Sequence, residues 1–188
     1  MNVNACLASI LFSPALALAA ACEVPDFEAF APRDTGRPTT ESVSVEISMQ
    51  PIAVLKIPDG FSKWGASPDG SIVFGDHPKG MTGGIGYETE QTVSVHKRGV
   101  APANFFLSIF RGLDETGCQY MKGQRLADQD FRLYAKLEKG GELFAYGTGT
   151  RHHFYVIRHD SPAYVLSGLF KNISRAEFES ILSTIRIQ

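Results

Sequence analysis

Apolar and polar residues alternate along the last third of the chain with the period of an extended strand. Apolar residues occupy every second position of 131–137, while arginine, tyrosine and lysine lie between them. Because side chains alternate faces along a strand, this run predicts a half-buried strand. Glycines at 140–141 and at 149 suit tight turns into two more strands, at 142–148 and at 152–158.

A fourth strand is predicted after a break at 159–162. Tyr164, Leu166 and Phe170 fall on one face of this strand. Gly168 shares that face, and its missing side chain suggests the close approach of a helix. Four strands joined by short turns predict an antiparallel meander.

The sequence predicts a helix after residue 174. Ser174 and Glu177 have the spacing of a capping box, in which each side chain hydrogen-bonds the backbone amide of the other residue. Ile173 and Phe178 have the spacing of a hydrophobic staple. The meander is the nearest apolar surface, so the sequence predicts an α+β arrangement with this helix across the sheet. The apolar stripe to be buried comprises Phe178, Ile181, Leu182 and Ile185.

Apolar patterns between residues 43 and 74 predict three further strands. Alternation at 43–48 and an apolar run at 52–57 indicate two of them, and 71–74 indicates a short third. Two Pro-Asp-Gly sequences, at 58–60 and 68–70, have the spacing of type I turns. The domain is therefore expected to open with β-structure.

A glycine-rich stretch and a central helix follow. Residues 75–86 are predicted to form the longest loop, and 87–96 to form a strand. A helix is predicted to begin near Pro102, because proline lacks only a donor that would be unpaired in the first turn. It is predicted to end at Gly112 or Gly117. Its apolar stripe, interpreted as core, comprises Phe105, Phe106, Ile109, Phe110 and Leu113.

The start of the chain resembles a secretory signal. Residues 5–21 are almost wholly apolar or small, and Pro14 interrupts a run that is already short for a bilayer-spanning helix. We therefore predict a signal peptide at 1–21, a polar, proline-rich linker at 22–41 and a single domain at 42–188. The protein is expected to be exported to the periplasm.

Cys22 allows two interpretations. It resembles the lipidated first residue of a bacterial lipoprotein, for which the linker would serve as a tether. Alternatively, Cys6 leaves with the signal, and Cys22 and Cys118 remain as an even pair that forms a disulfide in an oxidising compartment. A membrane is an expected partner only through a lipid on Cys22.

Composition and motifs narrow the chemistry. The 18 basic and 20 acidic residues are interspersed, with a net charge of −2, so nucleic acid is not an expected partner. His152 and His153 would point to opposite faces of one strand, and His159 would lie about 20 Å from His153 along it, too far for a shared metal ion. No nucleophile elbow, Cys-x-x-Cys, His-Glu-x-x-His or Walker sequence occurs. We predict no catalytic site, no metal and no cofactor.

Binding is the remaining class of function. Trp64, His77, Lys79 and Met81 fall in predicted glycine-rich loops, where a rigid sheet could present them to a partner. These four residues form the predicted binding surface. In the alternative interpretation, Trp64 caps one end of the core.

The order of elements resembles the Mog1/PsbP-like superfamily. The likeness rests on the run at 57–61 with Trp64 close behind it, a central helix, a meander, and the run at 167–170 leading into 178–185, and it covers about 43–187. The resemblance implies an α+β sandwich used mainly for binding and accessory roles. More loosely, the chain resembles exported immunity proteins that protect bacteria from toxins of rivals.

Two hypotheses follow. The leading one is a non-catalytic exported protein that binds another protein in the bacterial envelope, such as an immunity or inhibitor protein that binds a toxin effector. The alternative is a lipoprotein that binds a small molecule or a lipid between the central helix and the sheet.

Overall fold

The computed structural model describes residues 22–32 and 44–188; the predicted signal peptide lies outside the described residues. The strands are β1 (Glu28–Ala29), β2 (Ser44–Met49), β3 (Ala53–Pro58), β4 (Lys63–Ala66), β5 (Ile72–Gly75), β6 (Thr82–Glu88), β7 (Phe131–Lys136), β8 (Gly141–Thr148), β9 (Arg151–Arg158), β10 (Val165–Lys171) and β11 (Arg186–Ile187). The α-helices are α1 (Glu90–Val93), α2 (Pro102–Arg111), α3 (Glu115–Gly123) and α4 (Arg175–Leu182).

Eight strands form the main sheet, in the order β1-β7-β8-β9-β10-β6-β5-β4. The predicted meander is β7 to β10, and its neighbours are antiparallel; β1 pairs with β7 in parallel. A smaller antiparallel sheet has the order β11-β3-β2. The molecule is therefore α+β, as the sequence pattern predicts.

The C-terminal helix seals one face of the main sheet. The predicted stripe of α4 is fully buried together with one face of the meander and the small sheet. The predicted capping box is present, since Ser174 accepts from the Glu177 amide and Glu177 reaches back to the Ser174 amide. Ile185 lies beyond the helix end but remains buried. Each such side chain stabilises the fold by roughly 1.5–3 kcal/mol relative to exposure.

Helices α2 and α3 pack against part of the opposite face. Pro102 is in the first turn of α2, and Gly112 ends the helix with a φ of 60°, as predicted. The prediction for Leu113 was wrong: the residue follows the left-handed turn at Gly112 and is exposed. Helix α3 was not predicted; Asp114 begins it by accepting from the Gly117 amide.

Half of the glycine-rich stretch, predicted as loop, is strand. The loop spans only 76–81, and the glycines at 83–86 lie in β6 between β5 and β10. Residues 89–96 are not strand, because α1 begins at Glu90 after a capping box between Thr89 and Thr92. Residues 82–88 form a strand because β6 pairs with β5 on one side and β10 on the other, and the local sequence does not reveal this pairing.

Residues 22–32 belong to the folded domain, although the sequence suggested a linker. Cys22 and Cys118 form the predicted disulfide, with their Cα atoms 5.9 Å apart. Phe27 packs edge-on against Phe110 and Phe144. A sulfur atom in a disulfide is not free to carry a lipid, so this pairing favours the second interpretation of Cys22.

The prediction for Gly168 needs one correction. The space that its side chain would fill is taken by the Phe154 ring of the neighbouring strand, 2.1 Å from an ideal Cβ position, and not by a helix. Tyr164, predicted on the same face, precedes β10, is exposed and contacts Tyr87 edge-on.

Candidate binding site

The structure places Trp64 on an edge strand and not in a loop. Its side chain is on the same face of the sheet as Phe74, and 45% of the residue is exposed. The indole Nε1 donates to the Phe61 carbonyl oxygen at 3.0 Å, and the two rings pack edge-on at 6.0 Å. These contacts hold an exposed indole in one orientation.

The other predicted surface residues have different environments. The His77 ring packs on Phe61 at 4.9 Å, so Phe61 joins His77 to Trp64. The Lys79 ammonium forms an ion pair with Glu177 at 2.9 Å. Met81, just before β6, is buried in the core and therefore cannot contact a partner, so the prediction for this residue was wrong.

The β4–β5 hairpin exposes apolar side chains on both of its faces. Val73 is 54% exposed and faces the side opposite Trp64. The Ser67 amide donates to the Ser71 carbonyl oxygen, and Gly70 has a positive φ, so the predicted type I turn is present with a bulge. From Ser67 along β4, residues that hydrogen-bond to β5 alternate with residues that do not. The backbone amides of Trp64 and Ala66 belong to the second kind and point away from β5, toward the free edge of the sheet. No described strand pairs with that edge.

An open groove of about 530 Å³ lies on the part of the sheet face that α2 and α3 leave uncovered. Four strands, β5, β6, β10 and β9, form its floor. Gly84 leaves the backbone of β6 open to the groove, between Val73 on one side and Leu169 on the other. At Gly86 the Ser71 side chain fills the corresponding space. The space between α2 and the sheet, in contrast, contains a void of only about 10 Å³.

Charged residues mark the two ends of the groove. At one end, Glu88 accepts from the Ser167 hydroxyl at 2.9 Å. At the other end, Lys171 lines the groove, and Arg151 is directly opposite Lys171 on the neighbouring strand β9. None of the salt bridges among the described residues involves Lys171 or Arg151.

Neutral aromatic groups line the side of the groove next to the helices. The His153 ring stacks on Tyr146 at 5.1 Å, and burial, with the nearby charges of Arg151 and Lys171, lowers the pKa of His153 to about 4. Burial raises the pKa of Tyr155 well above its ordinary value. Both side chains are therefore uncharged at neutral pH.

A separate polar cluster surrounds Glu142, which the sequence reading missed. The residue is 5% exposed; Arg111, Tyr134 and His159 all contact its carboxylate. Burial alone raises the pKa of Glu142, but Arg111, His159 and Tyr134 favour the charged form more strongly, and the net pKa is lowered. Glu142 does not line the groove, and three side chains occupy its carboxylate oxygens, which indicates a structural role. Its members are far apart in sequence and carry no shared motif.

His152 and His153 do point to opposite faces, as predicted. His152 is fully buried against Phe131 and Phe178, whereas His153 lines the groove. Among residues 22–32 and 44–188, no three His, Cys, Asp or Glu side chains come together in a way that could hold a metal ion. Within the same ranges, no helix has the length and apolar character needed to span a membrane.

Comparison of the chain with family models, curated proteins and solved structures finds no match. The Mog1/PsbP-like resemblance therefore stays a prediction. The coarser description, an α+β fold with mostly antiparallel sheets, rests on the structure alone.

Proposed function

We propose that this is a non-catalytic exported protein that binds another protein, and that the β4–β5 hairpin is its main contact. The Cys22–Cys118 disulfide supports export, because disulfides persist in oxidising compartments. The loose likeness to immunity proteins supports a toxin effector of the bacterial envelope as the partner. The resemblance to Mog1/PsbP-like proteins supports an accessory role of the same kind.

The observation that carries the proposal is the exposed, oriented indole of Trp64. Tryptophan is enriched among the residues that dominate binding energy at protein interfaces. The hydrogen bond to Phe61 and the edge-on ring contact already restrict the side chain, so little conformational entropy is lost when a partner covers it.

The free edge of β4 adds a second kind of contact. The outward amides of Trp64 and Ala66 can pair with an extended segment of a partner, which is a common mode of peptide recognition. Lys63 flanks them and forms an ion pair with Asp76 at 3.3 Å. A charged residue at the edge discourages indiscriminate pairing, so a specific partner is favoured over self-association.

The test compares two exposed aromatic residues. The protein, purified after export, captures partners from an envelope extract, and calorimetry then measures the dissociation constant of the captured protein. We expect Trp64→Ala to raise this constant about 30-fold, the effect of losing roughly 2 kcal/mol. Tyr164→Ala is the matched control, because Tyr164 is 42% exposed. Equal effects of the two changes, or no saturable partner, would contradict the proposal.

The second candidate function is the binding of a small molecule or a lipid. The groove favours it, because about 530 Å³ lies within the usual range of ligand pockets, about 300–1,000 Å³. The space between α2 and the sheet is too small for a ligand, so the groove is the better candidate site for a small molecule or lipid. Native mass spectrometry of the exported protein would support it by showing a retained ligand, and intact mass would show whether Cys22 carries a lipid.

A further inference from the structure

The groove has the length of a short extended peptide. Its floor includes β6 from Thr82, which is opposite Lys171 on β10, to Glu88. Six residue steps along a strand span about 20 Å. A peptide laid along β6 would therefore place residues i and i+6 at the two ends, and side chains six positions apart on a strand point to the same face.

The two ends have opposite charge, and the basic end lacks described counter-ions. Like charges directly opposite on neighbouring strands destabilise a sheet. Lys171 and Arg151 are such a pair, and a bound anion between them would remove the repulsion. Glu88 is positioned by Ser167, so its carboxylate can accept from a cation at the other end.

The middle of the groove suits apolar side chains. Val73 and Leu169 flank the backbone of Gly84, and a methyl group at Gly84 would come within 3.3 Å of Val73 Cγ1. Gly84 itself has no side chain, so its backbone faces the groove directly. The groove thus has exposed apolar surface in its middle and opposite charges at its two ends. A complementary ligand is a segment with a charged side chain at each end and small apolar side chains between them.

We infer that the groove binds an extended segment of the partner protein that carries a basic side chain near Glu88 and, six residues away, an acidic side chain near Lys171 and Arg151. The inference rests on the proposed function and names the chemistry of the partner. The segment lies on the face of the sheet to which Val73 belongs. Trp64 contacts the partner from the opposite face of the β4–β5 hairpin.

The first test uses three capped synthetic heptapeptides with the order X-Ser-Val-Ser-Val-Ser-Z, in which X and Z are Lys and Glu, Lys and Lys, or Glu and Glu. Each is titrated into the ¹⁵N-labelled protein while amide shifts are followed by NMR. We expect saturable shifts at Gly84, Gly86 and Leu169, with the Lys and Glu peptide about two- to fivefold tighter than either control, as for one exposed ion pair. Equal binding of the three peptides, or shifts elsewhere on the molecule, would overturn the inference.

The second test exchanges the charges of the groove. Glu88→Lys is expected to make the Glu and Glu peptide the tightest of the three. The double change Lys171→Glu with Arg151→Glu is expected to favour the Lys and Lys peptide. Lys136→Glu is the control, because Lys136 is exposed on β7, outside the groove. An unchanged order of affinity in the groove variants would refute the inference.

The same variants separate this inference from the proposed function. If Trp64→Ala weakens partner binding while the groove variants bind the partner like the wild type, the proposed function stands and the groove assignment fails. If no partner is captured but the peptides follow the charge exchange, the groove assignment stands and the hairpin contact fails. A small molecule retained in the groove would overturn the peptide assignment.

Discussion

Arg111 Nη2 lies 2.8 Å from Oε1 and 2.6 Å from Oε2 of Glu142, so a single guanidinium nitrogen joins the last residue of α2 to the start of β8. Among the described residues, this is the one ion pair between α2 and the sheet. The Glu142 carboxylate that anchors the end of the helix is buried, since only 5% of this residue is exposed.

Removal of Arg111 should therefore destabilise the protein more than removal of the whole pair. We expect Arg111→Met to lower the free energy of unfolding by about 2–3 kcal/mol, because a buried carboxylate loses its main counter-ion. Adding Glu142→Leu should restore part of this loss. Urea unfolding at pH 7 measures both, with the exposed Arg98→Met as control. A double variant less stable than the single one would contradict this account.

Gly168 provides a test of packing within the main sheet. An alanine methyl group there would lie 2.1 Å from the Phe154 ring, so the ring would have to move within the core. We expect Gly168→Ala to lower the free energy of unfolding by about 3 kcal/mol.

Gly123→Ala is the matched control for Gly168→Ala. Gly123 lies in α3 with nothing within 4 Å of its ideal Cβ, and alanine there should be neutral or stabilising by up to about 1 kcal/mol. Equal unfolding free energies for the two alanine variants would show that the core relaxes around Phe154 without cost.

The sequence predicts elements whose signals are local. The capping box at Ser174 and the stripe behind it predict α4, and the left-handed glycine at Gly112 predicts the end of α2. Counting cysteines, once Cys6 is assigned to the signal, makes the pairing of Cys22 with Cys118 one of two interpretations, and the structure shows that pairing. Each inference needs only neighbouring residues or a residue count.

The groove was missed because its parts come together only through strand register. Gly84 suggests a loop by composition, yet Val73 and Leu169 pair with it from β5 and β10. The sequence predicts a loop at Trp64, because β4 is exposed on both faces and so lacks the alternation of a half-buried strand. Non-local pairing determines both features, and no local pattern encodes it.

The disulfide should contribute strongly to stability. It joins residues 96 positions apart, and closing so long a loop in the unfolded chain is worth up to about 4–5 kcal/mol in the chain-entropy model. We expect the exported Cys22→Ser/Cys118→Ser protein to unfold at lower urea concentration by the equivalent of 2–5 kcal/mol.

Reduction provides the control for the disulfide prediction. A reductant should destabilise the wild type to a similar extent and leave the double serine variant unchanged. Intact mass of the wild type should show two hydrogens fewer than the reduced chain and no added lipid. A diacyl mass on Cys22 would contradict the pairing seen in the fold.

His153 should make stability depend on mildly acidic pH. Its folded-state pKa is about 4, below the ordinary value of 6.5, so between these values the unfolded chain binds a proton that the folded chain excludes. The contribution of His153 is complete above pH 6.5 and is lost as the pH falls toward 4. Over that range the loss should be about 1–3 kcal/mol, since one pKa unit corresponds to about 1.4 kcal/mol and the site is partly solvated.

His153→Phe isolates this contribution, because phenylalanine keeps the stacking on Tyr146 and removes the titrating nitrogen atoms. The wild type and the variant share all other titrating groups, including His152, whose pKa burial also lowers. The difference in unfolding free energy between the two proteins should therefore be constant above pH 7 and shift in favour of the variant below pH 6. Two curves that stay parallel from pH 7.5 to 4.5 would show that the folded protein admits the proton at His153 without cost.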